Sequence, residues 1–288
     1  MAERRTRRHS GRGRRTQKER LQSGLSIIPS LFTIGNMFCA YFCVTSTLKG
    51  NFDYAAMAIG VGVVLDGLDG RIARMTHTAS EFGVQLDSIA DVLTFGIAPA
   101  ILAFVWGQSQ ISTAVGVTPF EMYVSEHLRH WSWIVTFIFM ICGGWRLARF
   151  NVQTQKPLDP GPKRHFVGLP IPAGAGLLAA TVHFFKEPLT MVWAAIVWYL
   201  LVILASLLMV STIRYPSFKE LHFLKRGSRI ALVFTAMLIA SIYFYSEVVL
   251  LLISSIYVSS GLVMHTMRRF GGPSPSPLGE PVHGNIKT

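Results

Sequence analysis

The sequence predicts an all-α protein, a polytopic bundle of transmembrane helices, and three observations support this fold class. The 288-residue chain is 51% hydrophobic, with a mean hydropathy of +0.42. Only 15% of its residues are charged, compared with about 25% in a typical soluble domain. Apolar runs long enough to cross a bilayer, which needs roughly 20 residues, recur along most of the chain.

These apolar runs predict about eight spans. The spans lie near residues 25–48, 54–74, 83–106, 131–150, 169–185, 189–211, 230–245 and 248–267. The chain is accordingly expected to divide into a basic cytoplasmic arm (1–24), a core (25–229), an extra C-terminal transmembrane hairpin (230–267) and a disordered cytoplasmic tail (268–288) that is rich in Pro, Gly and Ser.

The loop charges predict the orientation of the bundle. The arm and the connections near residues 71–82, 146–165 and 214–229 are basic, whereas the connections between them are not. By the positive-inside rule, this alternation places both termini on the cytoplasmic side of a multi-pass protein of the cell (inner) membrane. The net charge of +12 is spread over several loops, which disfavours nucleic acid as a partner and favours membrane lipid beside the arm.

Four aspartates occur in the second and third spans. Asp66 and Asp69 project from one face of their helix, and Asp87 and Asp91 project from one face of theirs. Both pairs lie near the same cytoplasmic edge, on consecutive helices joined by a short loop. An aspartate near the centre of a span makes the free energy of membrane insertion less favourable by about 2.5–3.5 kcal/mol. We therefore expect the four aspartates to face the interior of the bundle and to be neutralised by positive charge. Divalent metal ions, which bind several carboxylate oxygens, are the simplest source of that charge.

Other interpretations of the acidic residues are a structural salt-bridge cluster, or an ion or proton pathway in a transporter. Arg71 and Arg74 would pair with two aspartates at most. Gly70, Ala73 and Gly83 are small residues on or beside the acidic face, where a bulky group can approach the backbone closely. Tight helix packing would explain any one of them. Together with Arg74 and metal ions, they favour a cradle for a nucleotide.

The same residues carry a resemblance to a known family. The pattern Asp66-x2-Asp69-Gly70-x2-Ala73-Arg74-x8-Gly83-x3-Asp87-x3-Asp91 matches the signature of the CDP-alcohol phosphotransferases at every defined position. The resemblance implies a bundle with a six-helix core, often a homodimer. It also implies a site at the cytoplasmic membrane edge for two divalent metal ions, either Mg²⁺ or Mn²⁺.

The roles known for the family carry over to the matching residues of this chain. The four aspartates would hold the metal ions, and Asp91 would also act as the base for the acceptor hydroxyl. Arg74 would contact phosphate. The nucleotide cleft would be lined by Gly70, Ala73, Ser80 and Gly83, with Thr33 and Asn36 from the first span. Several family members carry Pro-Asn-x-x-Thr where this chain has Pro29-Ser30-x-x-Thr33, and Thr33 or Asn36 would alternatively bond a neighbouring backbone.

Four further segments of the sequence indicate which alcohol accepts the transferred group. The stretches FGVQLDSIADVLTFGIAPA, GGWRLARFN, FVGLPIPAGAG and MVSTIRYPSFK closely resemble the membrane-embedded phosphatidylserine synthases, which implies CDP-diacylglycerol and L-serine as substrates. Arg146 and Arg149, at the end of the fourth span, are either positive-inside anchors or forked donors for the serine carboxylate or the transferring phosphate. The alternatives are a sister enzyme that uses glycerol 3-phosphate or inositol phosphate, and an ion-coupled transporter.

Overall fold

The structure, a computed structural model, describes residues 27–76, 81–108, 118–155, 166–215 and 229–270. Within these ranges the chain is almost entirely helical, which confirms the predicted all-α fold. The predicted basic arm, and the tail beyond Phe270, lie outside the described residues. In chain order the elements are α1 (Ile27–Leu48), α2 (Phe52–Thr76), α3 (Glu81–Asp91), a π-helix (Val92–Ile97), α4 (Ala98–Gln108), α5 (Pro119–Gln155), β1 (Phe166–Val167), α6 (Ile171–Phe185), α7 (Val192–Val210), β2 (Arg214–Tyr215) and α8 (Arg229–Phe270).

Among the described residues, five helical segments are long and apolar enough to cross a membrane. They are Leu31–Leu48, Phe82–Gln108, Pro119–Gln153, Val192–Val210 and Thr235–Met267. Helix α6 is apolar but shorter, and α2 is long but carries several charged residues. These helices fit an integral membrane protein, whereas the count of eight spans stays a prediction.

Helix α5 begins earlier than the apolar pattern predicts. Residues 107–130 were expected to form a loop, but α5 starts at Pro119. Thr118 and Glu121 form a capping box there: the Glu121 carboxylate accepts hydrogen bonds from the Thr118 amide and hydroxyl, both 2.9 Å long, and the Glu121 amide donates to the Thr118 hydroxyl. The expected loop is wrong for these residues because hydropathy marks only the part of a helix that suits lipid.

Helix α8 covers both of the last two predicted spans. Its backbone leaves the helical conformation at Tyr245 (φ −136°, ψ 44°), one residue before the predicted boundary at Ser246 and Glu247. The part after this break, residues 246–270, lies along α6: Ser246 contacts His183 near the end of α6, and Val258 accepts a hydrogen bond from Tyr215 of β2. This part of α8 therefore reaches from one end of the bundle toward the other.

A two-residue antiparallel pair, β1 with β2, connects the start of α6 to the end of α7, with Phe166 opposite Tyr215. Gly168 follows β1 with a φ of +85°, and a side chain there would collide with the carbonyl oxygen of Met209. Only glycine meets both demands without strain. The Gly168 amide donates to the Ile213 carbonyl over 2.8 Å, so the FVGLP segment is fixed against the end of α7.

The π-helix directly follows Asp91, and its Thr94 hydroxyl donates to the Asn36 carbonyl of α1 over 3.0 Å. On α2, Gly62 faces the same two residues: an added Cβ would lie 2.7 Å from Thr94 Cγ2 and 2.9 Å from Asn36 Oδ1. Gly62 thus allows α1, α2 and the π-helix to meet about one helical turn from the aspartates. Because π-helices often occur at functional sites, this packing is the natural support for a site at Asp91.

Candidate active site

Carboxylates of α2 and α3 come together as the sequence predicts. Asp66, Asp69 and Asp87 each offer an oxygen, and these oxygens all lie within 4.8 Å of one another. The fourth residue, Asp91, is the last residue of α3, and its carboxyl group interacts electrostatically with the other three. We call Asp66, Asp69, Asp87 and Asp91 the aspartate cluster.

The aspartate cluster has unsatisfied acceptors. Asp69 and Asp91 are buried, and Asp66 and Asp87 are half-buried. One oxygen of Asp87 and one of Asp91 are buried without a hydrogen-bond partner among the described residues. Within the same part of the chain, no Lys, Arg or His forms an ion pair with the cluster. Since buried carboxylates are normally paired or bound to metal, these residues fit hard divalent cations.

Thr33 supports the aspartate cluster from α1. Its hydroxyl donates to a carboxylate oxygen of Asp69 over 3.4 Å, and both residues are buried. The resemblance implies that Thr33 contacts the nucleotide, and this stays a prediction; its hydrogen bond to Asp69 shows that it also holds a carboxylate of the aspartate cluster in place.

Asn36 lies one turn further along α1 and is fully buried. Neither its side-chain nitrogen nor its side-chain oxygen has a hydrogen-bond partner among the described residues. Its immediate neighbours are Gly62 and Thr94. Asn36 is therefore a buried polar group beside the aspartate cluster, and its predicted contact with a nucleotide stays a prediction.

The predicted nucleotide cleft is described only in part. Gly70 lies at the cluster's end of α2, and a Cβ added there would meet nothing within 4 Å, so there is open space beside it. Gly83 is half-buried near the start of α3. The side chains of Ala73 and Arg74, and all of Ser80, lie outside the described residues.

Arg146 is brought to the aspartate cluster from α5. It is buried, and its guanidinium lies within electrostatic range of Tyr257 of α8, of Arg149 and of Asp91. Its Nε atom has no hydrogen-bond partner among the described residues. Arg149 follows three residues later on α5 and is half-buried. A buried guanidinium with an unused donor suits an anionic ligand.

Three residues of this region were missed by sequence reasoning. The Asn151 side chain donates to the Ser88 hydroxyl over 2.9 Å, which ties the end of α5 to the helix that carries Asp87 and Asp91. Both lie inside segments that resemble known synthases, but nothing in either segment indicates that they touch. Tyr257 was missed because it lies in α8, far along the chain from every motif.

Comparison with known proteins identifies the class to which this fold and site belong. The model of the CDP-alcohol phosphatidyltransferase family matches residues 26–212. This is well over half of the chain, and the chain belongs to that family.

Its relatives include CDP-diacylglycerol–serine O-phosphatidyltransferases from bacteria and an archaeon. The protein of that name from Helicobacter pylori (strain 26695) is 34% identical over 202 residues, which cover 68% of this chain and 74% of the relative. The one from Bacillus subtilis (strain 168) is 32% identical over 196 residues, which cover 68% of this chain and 93% of the relative. The one from Methanocaldococcus jannaschii is 36% identical over 166 residues, which cover 58% of this chain and 65% of the relative. The predicted resemblance is thereby confirmed.

Proposed function

We propose that this protein is an integral membrane enzyme that transfers the phosphatidyl group of CDP-diacylglycerol to L-serine, giving phosphatidylserine and CMP. The observation that carries the proposal is the aspartate cluster, whose unpaired oxygens lie in a chain of this family. The names of its relatives support serine as the acceptor.

Asp66, Asp69 and Asp87, with Asp91 beside them, would hold divalent cations, either Mg²⁺ or Mn²⁺. When bound, the ions would supply positive charge to the diphosphate of the donor and to the departing CMP. The protein's part is to hold the ligands in place, and the Thr33 hydroxyl does so for Asp69.

Asp91 is the residue assigned to the acceptor hydroxyl. In the reaction the serine oxygen forms a bond to phosphorus while the bond from phosphorus to the CMP oxygen breaks. The hydroxyl proton must leave as the new bond forms, and a base within hydrogen-bonding reach has to accept it. Asp91 is buried, has an oxygen without a partner among the described residues, and interacts with the Arg146 guanidinium, which favours this role.

The substrates are assigned to two sides of the aspartate cluster. The open space beside Gly70 would admit the cytidine diphosphate, with Ala73, Arg74, Ser80 and Gly83 along the same cleft and Thr33 and Asn36 at its inner end. On the opposite side of Asp91, Arg146 and Arg149 would bind the serine carboxylate or the transferring phosphate. The buried, unused Nε of Arg146 is the feature that supports this assignment.

An acceptor assay tests the proposal. Purified enzyme with CDP-diacylglycerol and Mg²⁺ or Mn²⁺ should release CMP only when L-serine is added, and chelation of the metal should stop the release. CMP release that depends instead on glycerol 3-phosphate or inositol phosphate would identify a sister enzyme. A transporter would release none.

Two further parts of the proposal concern the protein in its membrane. We place the termini and the aspartate cluster on the cytoplasmic side, and we expect a homodimer. In a variant without Cys39, Cys43 and Cys142, a thiol reagent outside intact cells should label a cysteine at position 115 but not one at position 155. The reverse pattern would overturn the orientation. Cross-linking in native membranes would test the dimer.

A further inference from the structure

Helix α3 ends at Asp91, and the helical form changes there. The next residues, Val92–Ile97, form a π-helix, at whose end the Ala98 amide donates to the Leu93 carbonyl, five residues earlier. A π-turn takes up one residue more than an α-turn, so it rotates the helix before it by about 100° relative to the helix after it. Because α4 beyond it is packed into the core, the π-helix determines which way Asp91 faces.

Thr94 joins this π-helix to α1. Its side chain is fully buried, and its hydroxyl donates to the Asn36 carbonyl over 3.0 Å. One turn earlier on α1, the Thr33 hydroxyl donates to the Asp69 carboxylate. Helix α1 thus holds a carboxylate of α2 directly, and through Thr94 it holds the turn that follows the last carboxylate of α3.

Gly62 of α2 makes room for Thr94. A Cβ added at Gly62 would lie 2.7 Å from Thr94 Cγ2 and 2.9 Å from the side-chain oxygen of Asn36, which is too close for either neighbour to stay in place. A Cβ added at Gly60, on the same helix, would meet nothing within 4 Å. Thr94 is therefore fixed by a hydrogen bond to α1 and by close packing against α2.

We propose that Thr94 is a positioning residue for Asp91: by locking the π-helix to α1, it holds the Asp91 carboxylate toward the metal ions and the acceptor hydroxyl. Without this hydrogen bond, the segment can return toward ordinary α-helical bonding, which would turn Asp91 away from the other three aspartates. The inference rests on the proposed function, in which Asp91 is both a metal ligand and the base.

The variants Thr94→Val and Thr94→Ser separate the hydroxyl from the shape of the side chain. Thr94→Val keeps the branched shape without the hydroxyl, so kcat for CMP release should fall by about tenfold or more, with the KM for serine and for CDP-diacylglycerol within about twofold. Thr94→Ser keeps the hydroxyl and should stay within about threefold of wild type. The matched control is Thr181→Val, because Thr181 is also buried but its hydroxyl donates to Leu177 of its own helix; its kcat should be unchanged.

Binding of Mn²⁺ to the purified protein, without substrates, distinguishes positioning from partial unfolding. If Asp91 is displaced, Thr94→Val should raise the Kd for Mn²⁺ by about tenfold while the number of ions bound per protein stays the same. Partial unfolding would instead lower that number and leave the Kd unchanged. A wild-type kcat or a wild-type Kd for Mn²⁺ in Thr94→Val, or an equal loss in Thr94→Ser, would overturn the proposal.

The variant Gly62→Ala tests the same packing from α2. Its added methyl group would push on Thr94 Cγ2, so kcat should fall by about tenfold, whereas Gly60→Ala should leave kcat unchanged. Thr94→Ser lacks Cγ2, and in that background Gly62→Ala should lower kcat by less than about threefold. Independent, multiplicative effects of the two substitutions would contradict the proposal.

Failure of the proposed function would look different from failure of this inference. The wild-type enzyme would then release CMP with another acceptor or with none. The role of Thr94 is measured by comparing each variant with the wild type, and the Kd for Mn²⁺ does not depend on the acceptor.

Discussion

Charged and polar side chains occur at both ends of the helical bundle, but the two ends differ in whether these side chains have hydrogen-bond or ion-pair partners. At the end remote from the aspartate cluster, His183 contacts Asp53 and Ser246, and Lys186 pairs with Glu247. We call these five residues the remote network. At the other end, four carboxylates and a buried arginine gather, and three of their buried polar atoms have no partner among the described residues.

This difference separates groups whose hydrogen bonds and ion pairs are formed within the protein from groups that have buried polar atoms without a partner among the described residues. Buried polar atoms in folded proteins are nearly always hydrogen-bonded, because leaving one unpaired costs about 1–3 kcal/mol. The remote network follows this rule. The aspartate cluster departs from it at Asp87, Asp91 and Arg146, which is where the proposed metal ions and substrates would complete the bonding. Substitutions at the two ends should accordingly change different measured quantities.

The largest effect is expected in the aspartate cluster. Asp69→Asn or Asp87→Asn replaces a charged metal ligand by a neutral amide, and metal-dependent CMP release should fall by roughly a hundred- to a thousandfold or more. The variants should still insert in the membrane and retain the thermal midpoint of the metal-free wild type. Near-normal turnover by either purified variant would contradict the assignment of a metal site.

The remote network offers a control for this substitution. Asp53→Asn makes the same chemical change on the same helix, α2, but at the His183 contact. We expect it to lower the thermal midpoint and to leave kcat within about twofold, since Asp53 lies near the start of α2, about 20 Å along the helix from Asp66. If Asp53→Asn and Asp69→Asn had equal effects on turnover, the contrast between the two ends would be wrong.

Next in size are the arginines of α5. Arg146→Lys and Arg149→Lys keep the charge but lose the forked donor geometry, so a carboxylate or phosphate contact would be weakened by about 2–4 kcal/mol, or roughly 30- to 1000-fold in kcat/KM for serine. The buried Arg146 should show the larger loss. Serine kinetics measure the effect, with CDP-diacylglycerol binding followed separately. Arg129→Lys, at an exposed position near the other end of α5, is the control. Wild-type efficiency in both variants would mean that the arginines only anchor the helix.

Features that depend on a short stretch of the chain could be predicted from the sequence, whereas contacts between distant elements could not. The helices and the aspartate cluster could be predicted because apolar length and the spacing of Asp66, Asp69, Asp87 and Asp91 are local properties of the chain. The helical residues 119–130 were also predictable in principle, since Thr118 and Glu121 have the spacing of a capping box. Apolar runs do not mark them, because this first part of α5 contains several charged and polar residues.

Contacts between distant elements were beyond such reasoning. Asn151 meets Ser88, for example, only because the end of α5 comes to lie beside α3. No local sequence pattern predicts this contact. Thr33 was found as a polar residue in an apolar helix, but its partner Asp69 depends on how α1 lies against α2. The residue types of the site are thus predictable from the sequence, whereas their partners are not.

A smaller effect, on stability alone, is expected at His183. A carboxylate only accepts hydrogen bonds, so the His183 Nδ1 donates to Asp53 while Nε2 faces the Ser246 hydroxyl at 2.9 Å. His183→Phe would leave Asp53 unpaired and lower the free energy of unfolding by about 1.5–3 kcal/mol. Thermal melts in detergent measure this, and serine kinetics below the melt should be unchanged. His127→Phe, at an exposed position, is the control. An unchanged thermal midpoint for His183→Phe would show that His183 does not stabilise the fold.

The smallest effect is expected at Lys186, where charge and backbone act in opposite directions. Its ammonium pairs with Glu247, which raises the pKa of Lys186 above its usual value. A raised pKa means that the pair stabilises the fold at neutral pH and that this contribution is lost as the pH rises through the pKa of the folded protein. Both side chains are close to half-exposed, however, and water screens such pairs strongly.

The backbone at Lys186 is strained, with a φ of 58°, and the Glu187 amide donates to the Phe185 carbonyl across it in a tight γ-turn. Lys186→Met removes only the charge and should lower the thermal midpoint slightly at pH 7 and not at strongly alkaline pH. Lys186→Gly removes the charge and the strain together, so it should melt above Lys186→Met. Serine turnover should be the same in both, because Lys186 lies within electrostatic range of Asp53, which is about 20 Å along α2 from Asp66. A turnover change in either variant would show that the remote network communicates with the active site and that the two ends are not independent.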